Sequence, residues 1–214
     1  MDRLSDSNLD VVKDDGVQYL NPFINIYEDI PGGGTLKNSE APSNVTVIGA
    51  GTMVAKITAT AGVYNIVKTA KSTSTQSSST SHTYVVSDKY KGLFKVGEYI
   101  GIYGQATLST ITSITHTAAT TDTIVTGTSI GALATASIII EGAAAATVVA
   151  VDQTSRYTAI GFIRDVTRVR EDDLTTLNNV NIGIVVRGSV NESLLPYVLE
   201  AGNKTALTDR IMFQ

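Results

Sequence analysis

The stretch VNIGIVVR, residues 180–187, decides the fold class of this chain. Most of its residues are Val or Ile, whose branched side chains pack well on a pleated surface and favour strands. No helical period runs through it. It therefore predicts a strong β-strand, in which Gly183 marks a bulge or a close approach of another part of the chain.

Strands are also predicted on both sides of this stretch. Residues 23–27, FINIY, alternate apolar and polar side chains as a strand does, and residues 31–34, PGGG, predict a turn. A short helix capped by Asn191 is predicted over residues 191–202. Further strands are expected at residues 45–48, 53–57, 63–67, 84–86, 95–103, 107–114, 123–126, 137–140, 146–151, 157–163 and 206–213.

The composition supports an all-β protein. Thr, Ser, Ala, Val, Ile and Gly dominate the 214 residues, and only four prolines are present. The string FKVGEYI, residues 94–100, is typical of small β-barrel modules, because Gly97 lets a strand bend while apolar residues alternate inward. We therefore expect a small β-barrel or sandwich that carries an inserted β-rich module.

Shifts in composition divide the chain into four parts. Residues 1–20 are acidic with few apolar partners and predict an extended N-terminal arm. A main β domain is expected from residues 21–70 and 152–214 together. Residues 71–83 are nearly all Ser and Thr and predict a linker or exposed loop, and residues 84–151 predict the inserted β module.

The amino-acid composition excludes several kinds of catalytic and metal-binding site. The chain has no Cys, which excludes thiol nucleophiles, disulfides and thiolate metal sites. Its two histidines, His82 and His116, lie in Thr/Ser-rich stretches without a carboxylate at metal-ligand spacing. We read both as surface residues. We predict no enzyme activity, no catalytic residue, no metal and no cofactor, although a Ser-His-Asp set remains open.

Two acidic groups were weighed as sites. The run Glu171-Asp172-Asp173 is accompanied by Arg164, Arg168 and Arg170, and it predicts a solvated loop or an ion-pair belt between subunits. Neighbouring residues of a strand point to opposite faces and do not converge on one ligand. Asp14-Asp15-Gly16 resembles part of a calcium loop but lacks the alternating oxygen ligands and the terminal Glu.

Charge and hydropathy bear on partners. The formal net charge is −4 with Lys and Arg scattered, so we expect no nucleic-acid contact. Mean hydropathy is +0.12, and no apolar run approaches the roughly 20 residues that span a bilayer, so we expect no membrane contact. The acidic start, residues 1–10, does not read as a signal peptide, so we expect synthesis in the cytoplasm.

Flat apolar strands indicate assembly. Residues 131–136, GALATA, and 138–140, III, predict an uncharged β surface that would be an aggregation hazard on a free monomer. We therefore expect a symmetric homo-oligomer, a trimer or a dimer.

Short motifs occur in an informative order, mostly near the C-terminus. They read IPGGGTL, AIGFIRDV, VVRGSV, LLP and DRIMF at residues 30–36, 159–166, 185–190, 194–196 and 209–213. In this order they resemble the head decoration and head-fibre proteins of tailed bacteriophages. The resemblance implies an auxiliary protein on the outside of the virion capsid, made in the bacterial host. Its implied partners are the major capsid protein and other head-fibre proteins.

The expected function is therefore that of a structural virion protein that stabilises a capsid or anchors a head fibre. The first alternative is a tail-fibre or adhesin module that binds host carbohydrate, which a cluster of exposed aromatic side chains would favour. The second is a hydrolase with a β-rich fold.

Overall fold

The computed structural model describes residues 12–14, 17–57, 60–73, 75, 83–143, 155–169 and 179–214. Their secondary structure is mostly β, which confirms the predicted fold class. The strands are β1 Val12–Asp14, β2 Val17–Tyr19, β3 Phe23–Asp29, β4 Gly34–Leu36, β5 Val47–Ile48, β6 Met53–Lys56, β7 Val63–Ile66, β8 Thr69–Lys71, β9 Thr83–Ser87, β10 Tyr99–Ile102, β11 Leu108–Ala118, β12 Thr121–Thr126, β13 Ile138–Glu141, β14 Gly161–Ile163, β15 Thr167–Arg168, β16 Val180–Ile182, β17 Ile184–Val190 and β18 Ile211–Phe213. Helical segments are two 3-10 helices, Asn38–Glu40 and Glu192–Leu194, and one α-helix, α1 Ala201–Leu207.

The first sheet has eight strands in the order β16-β4-β7-β6-β14-β17-β18, and β3 pairs with β17 as well. Because β16 and β17 belong to one run of chain, the sheet curls until it returns to the run on which it began. Only the β4–β7 and β17–β18 pairs are parallel. The single strand predicted at residues 180–187 is therefore two strands, β16 and the start of β17, which pair at opposite ends of one curled sheet.

Gly183 separates these two strands because another part of the chain passes close to it. The Arg164 backbone N–H donates to the Gly183 carbonyl at 2.9 Å. A Cβ on Gly183 would lie 3.0 Å from Arg164 Nε, closer than a side chain normally allows. The prediction of a close approach at Gly183 is confirmed.

The second sheet has six strands in the order β8-β13-β10-β11-β12-β9. Its two edge strands meet through a bridge between Ser72 and Val86, and the Thr73 N–H donates to the Val85 carbonyl at 3.1 Å. The sheet therefore closes as a small antiparallel barrel. Its interior is filled by the buried residues Ala70, Tyr84, Val86, Phe94, Ile100, Ile102, Ile111, Ile124, Ile130, Leu133 and Ile139.

The barrel differs from the predicted module at its boundaries. β8 precedes residue 84 and pairs with β13, so the barrel takes a strand from the predicted main domain. Lys71 and Ser72 belong to the barrel and Thr83 begins β9, which shortens the predicted linker at both ends. Residues 76–82 of that linker, and the strand predicted at 146–151, lie outside the described residues.

The apolar stretch predicted to form an exposed surface is exposed only in part. Ala132, Ala134, Thr135 and Ala136 are exposed. Leu133 and Ile139 are buried inside the barrel, and Ile140 is buried outside that interior cluster. The predicted strand at residues 95–103 begins only at Tyr99. Gly97 has a φ of +90°, so it occupies a turn before the strand and does not bend the strand itself.

The C-terminal region contains a helix that the sequence did not predict. Asn191 caps the 3-10 helix as predicted, and its Oδ1 accepts from the Ser193 N–H at 3.0 Å. The α-helix then begins at Ala201, where Glu200 accepts from the N–H groups of Gly202 and Asn203. The strand predicted over 206–213 is accordingly reduced to Ile211–Phe213.

Part of the predicted N-terminal arm, residues 1–20, is paired as strands, and residues 1–11 lie outside the described residues. β1 and β2 form an antiparallel hairpin, and Tyr19 at its end is completely buried. Tyr19 belongs to the first core cluster, together with Tyr90 and Leu93 from the segment between β9 and β10. The two sheets therefore share part of one core. No helix in the described ranges is long and apolar enough to span a membrane.

Candidate functional site

Exposed large apolar side chains concentrate on strand β3. Five large apolar side chains are exposed in the described part of the chain, and β3 carries three of them: Ile24 at 48%, Ile26 at 43% and Tyr27 at 62%. A fourth, Met212, lies on β18 and is 55% exposed. Surface Ile, Tyr and Met grouped in this way mark an interaction surface.

The sheet order explains this exposure. Within the described residues β3 pairs with β17 alone, so its other edge has no partner strand there. Ser189 is the register partner of both Asn25 on β3 and Met212 on β18, which places the two side chains on one face. Ile26, the register partner of Gly188, points to the opposite face, whereas Ile24 and Tyr27 lie where the register between β3 and β17 shifts. The five residues from Ile24 to Glu28 are all exposed, so β3 is open to solvent on both faces.

A groove of about 610 Å³ adjoins this strand. Tyr27, Met212 and Phe213 contribute its apolar lining. Lys204 binds Glu192 at 2.5 Å and lies 5.3 Å from the centre of the Phe213 ring. Arg187 and Arg210 also line the groove and make no ion pair with any described residue. We define the β3 patch as Ile24, Ile26, Tyr27, Met212 and this groove.

A cluster of three carboxyl groups lies where the two sheets meet. Glu40 comes from the first 3-10 helix, Glu98 from the turn before β10 and Glu141 from the end of β13. One oxygen of each lies within 4.8 Å of the others. No sequence pattern indicates this cluster, because its members are far apart along the chain and converge only through the topology.

Three cations balance the three carboxylates. The ammonium of Lys68, whose side chain is completely buried, binds Glu98 Oε1. Arg156 binds Glu141 Oε1 at 2.6 Å, and Lys37 binds Glu40 at 3.1 Å. Because Lys68 supplies the central positive charge that a metal ion would otherwise bring, the arrangement fits an ionic clamp between the sheets.

Glu141 is the least satisfied member of this clamp. Its Oε2 is buried and has no hydrogen-bond partner among the described residues. Burial raises the pKa of Glu141 above its ordinary range, while the charges of Lys68 and Arg156 lower it. The clamp therefore contains one carboxyl group that takes up a proton more readily than an exposed glutamate does.

His116 lies at the surface, as predicted, but it has a carboxylate partner. Its Nδ1 is 2.6 Å from Asp122 Oδ1, because the two residues are register partners on β11 and β12. Its Nε2 is 3.0 Å from Asn44 Nδ2. Within the described ranges that nitrogen faces an amide and no Ser or Thr hydroxyl, so the described residues do not complete the His-Asp pair as a nucleophilic triad.

Among the other residues weighed from the sequence, those that the structure describes do not converge on one site. Arg164 binds Asp29 at 2.7 Å and Asp165 at 2.8 Å, which gives an exposed ion-pair group. Arg168 ends β15 at the surface, and Asp14 ends β1. The remaining members of these groups lie outside the described residues: His82, Arg170, Glu171-Asp172-Asp173, Asp15 and Gly16.

Aromatic side chains are mostly interior. Tyr19, Tyr64, Tyr84, Tyr90 and Tyr197 are buried, and Tyr27 is the one exposed large aromatic residue in the described part of the chain. A carbohydrate site that works by ring stacking would need several such rings together. This distribution gives the adhesin alternative no specific support.

Known proteins offer no further guide to this arrangement. Comparison of the chain with protein-family models, curated protein sequences and solved structures found no match. The function therefore has to be argued from the surfaces described above.

Proposed function

We propose that this chain is a structural protein of a tailed-phage virion, which binds the outer surface of the capsid and stabilises it or anchors a head fibre. The observation that carries the proposal is the order of short motifs from residue 159 to residue 213. The β3 patch supports it, because an edge strand with exposed apolar side chains is suited to the symmetric assembly that such a protein undergoes.

The mechanism is stabilisation by binding. A protein that binds an assembled shell but not its free subunits shifts the equilibrium towards the shell. Repetition of a modest contact over a symmetric surface makes release slow, since many contacts must break together. In this proposal the major capsid protein is the partner and no chemical step is performed.

Rigidity of the body supports such a role. The two sheets are joined by the shared core around Tyr90 and by the ionic clamp at Glu141. Lys95 Nζ adds a hydrogen bond to the Ser39 carbonyl at 2.6 Å, again between the sheets. A body held at several points keeps its binding surfaces in a fixed relation, which lowers the entropy lost on docking.

The test is addition of the purified chain to heads produced by a phage from which its gene has been deleted. We expect the chain to co-sediment with these heads at saturable stoichiometry and to raise the temperature at which they disrupt. Purified tails of the same phage are the control and should bind none. If the chain does not bind heads but binds tails or host cells, the proposal is wrong and the adhesin alternative is favoured.

A further inference from the structure

We propose that the β3 patch is the contact with a second copy of this chain, in a twofold interface where the two β3 strands run antiparallel. The inference rests on the proposed function only in taking the patch as an assembly surface. It assigns the occupant of that surface, so the contact with the capsid must lie elsewhere on the molecule.

The two-sided exposure of β3 calls for a partner that covers an edge as well as a face. Ile24 and Ile26 are exposed, and Tyr27 lines the groove with Met212. Edge strands of monomers are commonly protected by Lys, Pro or bulges. Phe23–Asp29 contains neither Lys nor Pro, and its three register shifts against β17 leave Ile24, Ile26 and Tyr27 exposed. Pairing with another strand would satisfy the free edge and bring apolar side chains of both copies together.

The charges beside the patch are compatible with a copy of itself. Three cations, Lys56, Arg187 and Arg210, and two anions, Glu28 and Asp209, line one depression beside β3. None of them forms an ion pair with a described residue. A twofold axis sets this mixed-sign surface against itself, so cations of one copy can meet anions of the other. A partner surface of one sign would oppose some of these residues with like charge.

The sequence of β3 also suits antiparallel self-pairing. Its acidic residues, Glu28 and Asp29, both lie at its C-terminal end. In an antiparallel pair these ends are at opposite ends of the joined strands, so like charges are kept apart. Parallel pairing would place the acidic ends side by side, which is destabilising.

The absence of cysteine from the natural chain allows a direct test. Ile26→Cys introduces a single thiol at the centre of β3, and Val96→Cys introduces one at an apolar position that is 61% exposed and lies outside the patch. The full chain carrying each substitution is treated with a bismaleimide cross-linker, which tolerates a shift in strand register. We expect covalent dimers from the Ile26 variant and none above background from the Val96 variant.

A second measurement tests whether the β3 patch supplies most of the free energy of self-association. Sedimentation velocity of the unmodified chain should give a species of twice the 22.5 kDa protomer. Tyr27→Asp should weaken self-association by about tenfold or more, since an interfacial aromatic commonly contributes over 1 kcal/mol. Val96→Asp is the matched control and should leave it unchanged.

The outcomes separate this inference from the proposed function. If the chain is a monomer that still binds heads, the inference is wrong and the proposed function is unaffected. If the chain dimerises through β3 but does not bind heads, the inference is supported and the proposed function is wrong. An oligomer that neither cross-links at Ile26 nor responds to Tyr27→Asp assembles through another surface, which also overturns the inference.

Discussion

The ring of Tyr19 stacks on the ring of Tyr90, with centroids 4.6 Å apart and planes 4° from parallel. The hydroxyl of Tyr90 accepts a hydrogen bond from the Leu20 N–H at 2.9 Å. Tyr19 ends the second strand of the N-terminal hairpin, whereas Tyr90 lies between two strands of the barrel. One aromatic contact thus fixes the hairpin and the second sheet to the same core.

Tyr90 should therefore be among the most sensitive positions in the protein. We expect Tyr90→Ala to lower the free energy of unfolding by about 3–5 kcal/mol, because it leaves a large cavity in the core. Tyr90→Phe keeps the stack but leaves the Leu20 N–H without its acceptor, at a cost of about 1–3 kcal/mol. Urea unfolding measures both, and Tyr27→Phe at the surface is the control. Equal effects of Tyr90→Ala and Tyr27→Phe would contradict this.

Deletion of the predicted inserted module tests how far the two sheets are independent. The sequence predicts that residues 84–151 can be replaced by a short glycine linker with the remainder still folded. The structure leads us to expect the opposite, because the deletion removes Tyr90 and Leu93 from the first core and the Lys91 carbonyl that accepts from Tyr197. We expect loss of cooperative unfolding by circular dichroism. A sharp transition in the deletion variant would show that the first sheet needs no support from the barrel.

The class of fold was predictable because it depends on local properties. Branched residues in VNIGIVVR and alternation in FINIY are visible in any short window, and both form strands. The split at Gly183 was not predictable, because the two halves serve different partners that lie far away in the sequence. Helix α1 was missed since Glu200 is not a residue type that usually marks a helix start.

The candidate surfaces were less predictable than the fold. Exposure of Ile24 and Tyr27 depends on β3 being an edge strand, and strand order is a property of the whole sheet. The pairing of His116 with Asp122 was not predictable either, because it depends on the register of β11 and β12. The apolar run at 138–140 was misread as surface because burial cannot be told from exposure by composition.

Lys68 offers a test of the ionic clamp. We expect Lys68→Met to lower the free energy of unfolding by about 3–5 kcal/mol, because Glu98 then keeps a charge without its buried partner. The double variant Lys68→Met, Glu98→Gln should recover part of this loss, since no uncompensated charge remains. A double-mutant cycle in urea measures the coupling. A coupling energy near zero would mean that the two groups do not interact as described.

The raised pKa of Glu141 predicts a particular dependence of stability on pH. The folded protein holds this proton more tightly than the unfolded chain, whose glutamate titrates near 4.3. The resulting stabilisation is fully present below that pH and is lost as the pH rises through the higher folded value.

Glu141→Gln removes this titration and should gain relative stability as the pH increases. The free energy of unfolding of the variant minus that of the natural chain is measured from about pH 4 to about pH 8, where a pKa shift of one unit corresponds to about 1.4 kcal/mol. The difference should grow with pH and then level off. A difference that stays constant, or that falls with rising pH, would mean that burial does not govern this carboxyl group.

The return of the first sheet to residues 180–190 has a consequence for how the protein is made. β4 pairs with β16, β6 pairs with β14, and β17 pairs with both β3 and β18, so strands from the two ends of the chain lie side by side. During synthesis the early strands emerge long before the partners that they require. Long-range pairing of this kind is slow, and unpaired strands are exposed in the meantime. The first sheet can be completed only after residues 180–213 have left the ribosome, so chaperone supply and temperature during expression should govern the yield of folded protein.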